Sequence, residues 1–382
     1  MNIILDMTTL LRRVIKRRTL TGIDRVGMAY VQHYGMTAQA LMHFGGKTWL
    51  FSNRDSQKLF MWMTNPTSSW SIIKILITGI LSSSINTIDK NTFLLNTGNI
   101  RTDKANYLQK MHARGVKLIF LVHDIIPITY PEYCSPGEDK RHIEKMNYVL
   151  SQATGVITNS NSTLNDLKQY AQHTHQKMPP AQAALLASGI NVLTPGKRPI
   201  QKPYFVILST IEPRKNHLLL LQVWRNLVQK YSDETPQLVV IGKRGWECEN
   251  IIDLLERSQF LKNVVTEIPR CSDVDLATYI HHSQALLFPS FIEGFGLPLI
   301  EALTLNVPVI ASDLAVFKEI AGDVPEYIDP IDSRKWIELI LEYTKPNSIR
   351  RYNQINRIKN FKAPSWTEHF NKIDLFLEKI NV

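Results

Sequence analysis

Apolar runs of strand length alternate with amphipathic stretches of helix length through most of the chain. In the first half, these runs predict strands at residues 2–6, 38–44, 92–96, 116–122 and 155–159. Between them, helical spacing of apolar positions predicts helices near 23–34, 102–114, 138–153 and 161–171. From Ala187 to Pro203 the periodicity collapses into Ser188-Gly189, Thr194-Pro195-Gly196 and a basic stretch broken by prolines, which is turn and linker chemistry. The alternation restarts with strands near 204–209, 237–241, 263–267, 285–289 and 307–311, and helices near 215–230, 248–257, 273–282 and 298–304. The predicted fold class is α/β, with two Rossmann-like domains at 1–195 and 203–360. In such sheets a ligand binds at the carboxyl ends of the strands, so motifs at those ends carry the functional reading.

Length and composition agree with that division. A chain of 382 residues exceeds what one core usually holds, and 44% hydrophobic with 20% charged residues is an ordinary globular balance. The net charge of +10 suits anionic lipid or phosphorylated substrates. Its densest source is Arg12, Arg13, Lys16, Arg17 and Arg18, between the first strand and a glycine turn, read either as a solvated loop or as a contact with an anionic membrane face. No aromatic platform or binding module accompanies it, so nucleic acid is not expected as a partner. Cys134, Cys248 and Cys271 lack metal or redox spacing and predict a reducing, cytoplasmic setting. The opening Ile3-Ile4-Leu5 run is strand-like, so no export is predicted. The longest apolar region, Ser71 to Ile85, is interrupted by Lys74 and serines, and predicts a half-buried helix too short to span a bilayer.

The most informative segment runs from Glu293 through Gly294, Phe295, Gly296 and Leu297 to Glu301. A strand precedes it and an apolar helix follows, so it is a strand-to-helix turn whose N–H groups can face an anion. The flanking acids then suit hydroxyls, and a sugar joined to a diphosphate offers both kinds of group. Arg214 and Lys215, after the first strand of the second domain, suit the diphosphate, Arg bidentately and Lys as a point charge. At another strand end stand His123 and Asp124, the acid either orienting the imidazole or capping the turn. Gly22, followed by Asp24 and Arg25, marks a turn into a helix, and Gly242 a turn that either approaches phosphates or is a plain loop. Asp273 and Asp275 resemble a metal-holding acid pair, but they fall in the first turn of a helix, where capping accounts for them.

Glu212-Pro213-Arg214-Lys215-Asn216, Ser272-Asp273 and Phe288-Pro289-Ser290 through Glu301 together resemble the retaining glycosyltransferases of family 4. His123-Asp124 and Ile157-Thr158-Asn159-Ser160 resemble the first domain of members that build bacterial surface polysaccharides. The resemblance implies a GT-B fold, two Rossmann-like domains facing across a deep interdomain cleft, with residues 361–382 forming a helix that crosses back to the first. It implies a nucleotide-diphosphate sugar donor, guanosine-linked mannose being the guess, a saccharide or lipid-linked acceptor, no cofactor and no obligatory metal. By the same resemblance Arg214 and Lys215 neutralise the diphosphate and Glu301 binds the ribose. Glu293 and the Gly294–Leu297 amides lie at the sugar or distal phosphate, His123 beside the reacting carbon, and Arg270-Cys271 against the base. Asp24, Arg25, Asp124 and Ser160 fall on the acceptor side. An epimerase or hydrolase of the same fold, or an idle sugar-nucleotide binder, is the rival reading.

Overall fold

The computed structural model describes residues 2–16, 20–83, 88–89, 91–98, 106–189 and 195–381. Arg17 and Arg18 of the basic run, Thr194, and the start of the helix expected at 102 lie outside them. Two compact units emerge: Met1–Ile125 with Asp139–Leu186 and Ser365–Val382, and Ile126–Glu138 with Ala187–Pro364.

The first unit opens with β1 (Asn2–Asp6), α1 (Thr8–Ile15), α2 (Gly22–Tyr34), β2 (Gln39–Phe44) and β3 (Lys47–Leu50). It continues through α3 (Asn53–Thr64), α4 (Ser69–Leu81), β4 (Thr92–Asn96), α5 (Asn106–Ala113) and β5 (Lys117–Val122). After α6 (Ile126–Thr129), which packs with the second unit, come α7 (Glu138–Gln152), β6 (Gly155–Thr158), α8 (Asn161–His173) and β7 (Ala181–Ala183). The sheet order is β3-β2-β1-β4-β5-β6-β7, parallel except for β3. All five residues of β4 and the last five of β5 are buried, as in a sheet covered on both faces. Strand β3 is a short hairpin return through Gly45 and Gly46, both at positive φ, which a two-residue turn of this hand requires.

The second unit contains β8 (Tyr204–Leu208), α9 (His217–Tyr231), β9 (Gln237–Ile241), α10 (Glu249–Arg257), β10 (Val265–Ile268) and α11 (Asp273–His281). Next are β11 (Leu286–Phe288), α12 (Leu297–Thr304), β12 (Val309–Ser312), α13 (Ala315–Ala321), β13 (Glu326–Ile328), α14 (Ser333–Thr344) and α15 (Ile349–Lys359). Its strands run β10-β9-β8-β11-β12-β13, all parallel. The core is built on Phe205, Trp224, Leu287 and Trp336, with the Trp224 indole N–H satisfied by the Pro236 carbonyl at 2.8 Å.

Helix α16 (Trp366–Lys379) packs with the first unit. A Ser365/Glu368 capping box starts it, and Tyr34 donates to Asp374 at 2.7 Å. A Cβ at Gly155 would come within 2.9 Å of Phe376 Cζ, so the helix seats where β6 carries no side chain.

Three expectations need correction. The basic run is helical rather than a loop as far as Ile15, because Leu10 and Leu11 bury one side of α1, and Arg13 is paired with Asp24 at 2.8 Å. Strand β7 (Ala181–Ala183), which pairs with β6, stands in a stretch where no strand is expected, ahead of the linker at Ala187 to Pro203. Helices α3, α13, α14 and α15 and strands β3 and β13 were not expected, the strands because three or four residues give too short an alternation to stand out.

Candidate functional site

Strand order explains where the site forms in the second unit. From β8 the chain runs outward to β9 and β10, then returns to add β11 on the other side of β8, so neighbouring β8 and β11 send their following segments in opposite directions. That is a topological switch point, where the loops at the carboxyl ends diverge and leave room for a ligand. Glu212–Lys215 follow β8 and Ser290–Gly296 follow β11, and the Phe291 amide donates to the Arg214 carbonyl at 2.9 Å, tying the loops together.

Four charges converge there. Arg214 Nη1 donates to Glu293 Oε2 at 2.9 Å and to the Ile292 carbonyl at 3.1 Å, while Arg214 Nε lies 2.8 Å from Glu212 Oε1 as an ion contact. Lys215 Nζ donates to Glu293 Oε1, which also accepts from Ser290 Oγ at 2.8 Å. Burial pushes the Glu293 carboxyl up, but Lys215, Arg214 and Ser290 outweigh it and hold the group at about 2. Burial and Arg214 pull Lys215 down, opposed by Glu293 and Glu212, and burial pushes Glu212 up despite its cations. The two cations are thus matched by two carboxylates, with Lys215 also above the Phe288 ring at 5.9 Å.

Beside this cluster the chain enters α12. Gly296 caps it at φ +134, and a Cβ there would meet Phe317 at 2.7 Å, so only glycine fits the entry. Among the described residues, the amides of Phe295, Gly296 and Leu297 make no hydrogen bond, so the start of α12 presents unfilled donors. Glu301 sits buried in the second turn of this helix.

Several neighbours were not singled out from sequence. Asn216 takes the left-handed conformation (φ 55°) and donates to the Pro330 carbonyl at 2.8 Å. His217, also buried, lies with Nε2 3.3 Å from Ser209 Oγ and with Nδ1 unpartnered; burial and Lys215 drop its pKa to about 3. Ser290 and Glu212 complete the charge cluster, and Tyr133 stacks on Phe291 at 5.3 Å. Glu212, Asn216 and Ser290 stand within the motifs named from sequence and His217 directly follows one, whereas Tyr133 had no sign there.

Other expected positions are held by contacts of their own. Gly242 has φ +152, and a Cβ would fall 1.9 Å from the Ser209 carbonyl oxygen, so close backbone packing accounts for the glycine. Arg270 is exposed, and burial pushes the partly covered Cys271 thiol up to about 11. Ser272 caps α11 and bonds Asp275, as the capping reading of Asp273 and Asp275 expects.

In the first unit, His123 follows β5, and its Nε2 lies 2.9 Å from the Thr97 carbonyl. The imidazole must therefore carry its proton on Nε2, and burial keeps its pKa low, so Nδ1 is left as an acceptor. The Thr97 carbonyl holds the ring. Asn159 donates to the His123 carbonyl at 2.8 Å, and Ser160 caps α8 through the Thr163 amide at 3.0 Å. Gly22 begins α2, whose cap is Thr21; Asp24 accepts from the Thr21 amide and hydroxyl, each at 2.7 Å, and from Arg13. Arg25 lies on the same first turn.

Residues 195–359 match the family model of glycosyl transferases group 1. The chain carries a group 1 glycosyltransferase domain. The chain is 30% identical over 279 residues to the serotype-specific mannosyltransferase WbdA of Escherichia coli, covering 68% of the chain and 34% of that protein. It is 28% identical to the O-antigen chain mannosyltransferase B of Escherichia coli, covering 64% of the chain and 65% of the relative. The chain thus spans about a third of the first relative and just under two thirds of the second. Among solved structures, Anabaena Alr3699/HepE in complex with UDP and glucose aligns with 100% of this chain and 98% of that one, at a TM-score of 0.67 and 14% identity. The fold of the chain is GT-B, and the switch-point cluster lies within the matched group 1 domain.

Proposed function

We propose that the chain is a retaining hexosyltransferase that moves a sugar from a nucleotide-diphosphate donor to a saccharide or lipid-linked saccharide in surface polysaccharide synthesis. The observation that carries this is the Arg214–Lys215–Glu293 cluster beside the open amides of α12. A diphosphate needs cations and N–H donors, and a sugar needs fixed acceptors; both sets stand at one switch point. The mannosyltransferase relatives support a mannose donor, and the UDP-bound neighbour supports a nucleotide-linked one.

In this reading Arg214 and Lys215, with the open amides of α12, stabilise the departing diphosphate, and no divalent metal takes part. Glu301 binds the ribose, Glu293 and the 294–297 amides hold the sugar or distal phosphate, and Gly242, Arg270 and Cys271 lie at the phosphates and base. His123 accepts a sugar hydroxyl at Nδ1. The bond from the anomeric carbon to the diphosphate oxygen breaks, the acceptor oxygen bonds that carbon on the same face, and its proton passes to the diphosphate. Gly22 joins the donor contacts, and Asp24, Arg25, Asp124 and Ser160 belong to the acceptor side. A lipid-linked acceptor places the enzyme at an anionic, cytoplasmic membrane face.

The test is a donor panel with and without lipid-linked acceptors, followed by NMR of the product. Transfer with the donor's anomeric configuration preserved is expected. Free sugar or an altered nucleotide sugar without acceptor makes it a hydrolase or epimerase, binding without turnover makes it an idle binder, and an inverted product overturns the same-face step.

A further inference from the structure

Helix α4 departs from the pattern of a surface helix in water. Its inward side rests on buried Ile72 and on Gly79, where a Cβ would come within 2.4 Å of the Phe51 ring. The opposite side, normally polar, carries exposed Trp70, Ile73, Ile77, Ile80 and Leu81, with Trp70 at 80% and Leu81 at 81% exposure. Trp70, Ile73, Ile77 and Leu81 are spaced three, four and four residues apart, which aligns them in one stripe. The stripe is held in place rather than loose: Ser82 Oγ and Thr78 Oγ1 donate to the Asp55 carboxylate of α3 at 2.7 and 3.3 Å.

Charge identifies the occupant. Between Asp55 and Asp89 the chain has no acidic residue, and its only charges are Lys58 and Lys74. Lys74 flanks the stripe on α4 itself. Lys58 is paired with Asp55 at 3.0 Å, so Lys74 is the charge this segment offers, and it attracts an anionic surface. A second protein copy fits less well, because a helix of this length is about 20 Å long and offers on the order of 200 Å², against roughly 800 Å² per partner in a stable dimer. Nor does α4 cross a bilayer: no helix among the described residues is long and apolar enough.

We propose that α4 lies in the plane of an anionic membrane with its Trp70–Leu81 stripe seated at the acyl boundary. Trp70 at one end suits the headgroup level. This deepens the membrane-facing part of the functional reading and rests on it only for the lipid class. It also moves the contact away from the Arg12–Lys16 run, where Arg13 is already paired.

The experiment is co-sedimentation with vesicles of phosphatidylcholine, with and without phosphatidylglycerol, comparing the protein with Ile73→Ser/Ile77→Ser. Both positions are exposed, so thermal unfolding should be unchanged. Expected is binding to the phosphatidylglycerol vesicles that the double variant weakens by about tenfold or more. The proposal fails if the protein stays in the supernatant, if the variant sediments equally, or if the variant instead converts a solution dimer to monomer. Sedimentation needs neither donor nor acceptor, so an inactive protein can pass and an active transferase can fail.

Discussion

Lys215 and Glu293, 78 residues apart in sequence, form a buried ion pair between the loops that follow β8 and β11. Removing Glu293 takes the hydrogen-bonded partner from Lys215, whereas removing Lys215 leaves Glu293 held by Arg214 and Ser290. Lys215→Ala is expected to lower turnover at least about tenfold, since one charge-assisted contact contributes roughly 1.5–3 kcal/mol. Steady-state kinetics at saturating donor check this, and unchanged turnover removes the diphosphate role.

Glu293→Ala should cost stability as well as activity. It leaves Arg214 and Lys215 adjacent in a buried site with only Glu212 to balance them, a loss on the order of 3–5 kcal/mol. The paired variant Lys215→Met/Glu293→Met should recover much of the stability and none of the activity. Denaturant unfolding of the three proteins tests both parts.

Backbone packing makes a separate demand at Gly242. Because a Cβ would stand 1.9 Å from the Ser209 carbonyl oxygen and φ is +152, Gly242→Ala is expected to destabilise the second unit by about 2 kcal/mol or more. A variant that melts like the parent contradicts this.

Two buried histidines set an acid limit. His217 is lowered to about 3, chiefly by burial, and His369 to about 4, again by burial, its ring bonded to the Leu185 carbonyl and Tyr30 hydroxyl. Both folded values lie below the unfolded one, so the unfolded chain binds the proton first and stability falls as pH drops below about 6.5 towards the folded values. Each histidine should cost about 2 kcal/mol between pH 7 and pH 5. Since His217 belongs to the second unit and His369 packs in the first, both unfolding transitions should shift, and His369→Gln should flatten only the first unit's pH response.

Asp24 links the start of α2 to α1. Asp24→Ala removes the capping box and the Arg13 pair, and should destabilise the first unit by about 1–2 kcal/mol. Asp24→Asn keeps a capping side chain and should lose less. A turnover loss in Asp24→Asn with stability near normal would instead indicate contact with the acceptor.

Much of this protein is legible in one dimension. Continuous apolar runs such as Tyr204–Leu208 and Leu118–Val122 declare parallel strands buried on both faces, because such strands have no solvent side to alternate with. Arg214-Lys215, Glu293 and His123 declare themselves by standing where those runs end. Short β13 is harder to read, since three residues show no period, and the exposed isoleucines of α4 are not foretold by the rule that apolar faces turn inward.

Sequence alone therefore determined the alternation of elements and the chemistry at strand ends, both of which are local properties of the chain. Only tertiary structure decided that β11 lies beside β8, which brings the Arg214-Lys215 and Glu293 loops together at a switch point. It also decided that the two acids differ, Glu293 spent on cations and Glu301 buried within α12. Strand order is set by which faces can be covered across the whole sheet, and that competition has no signature at any single residue.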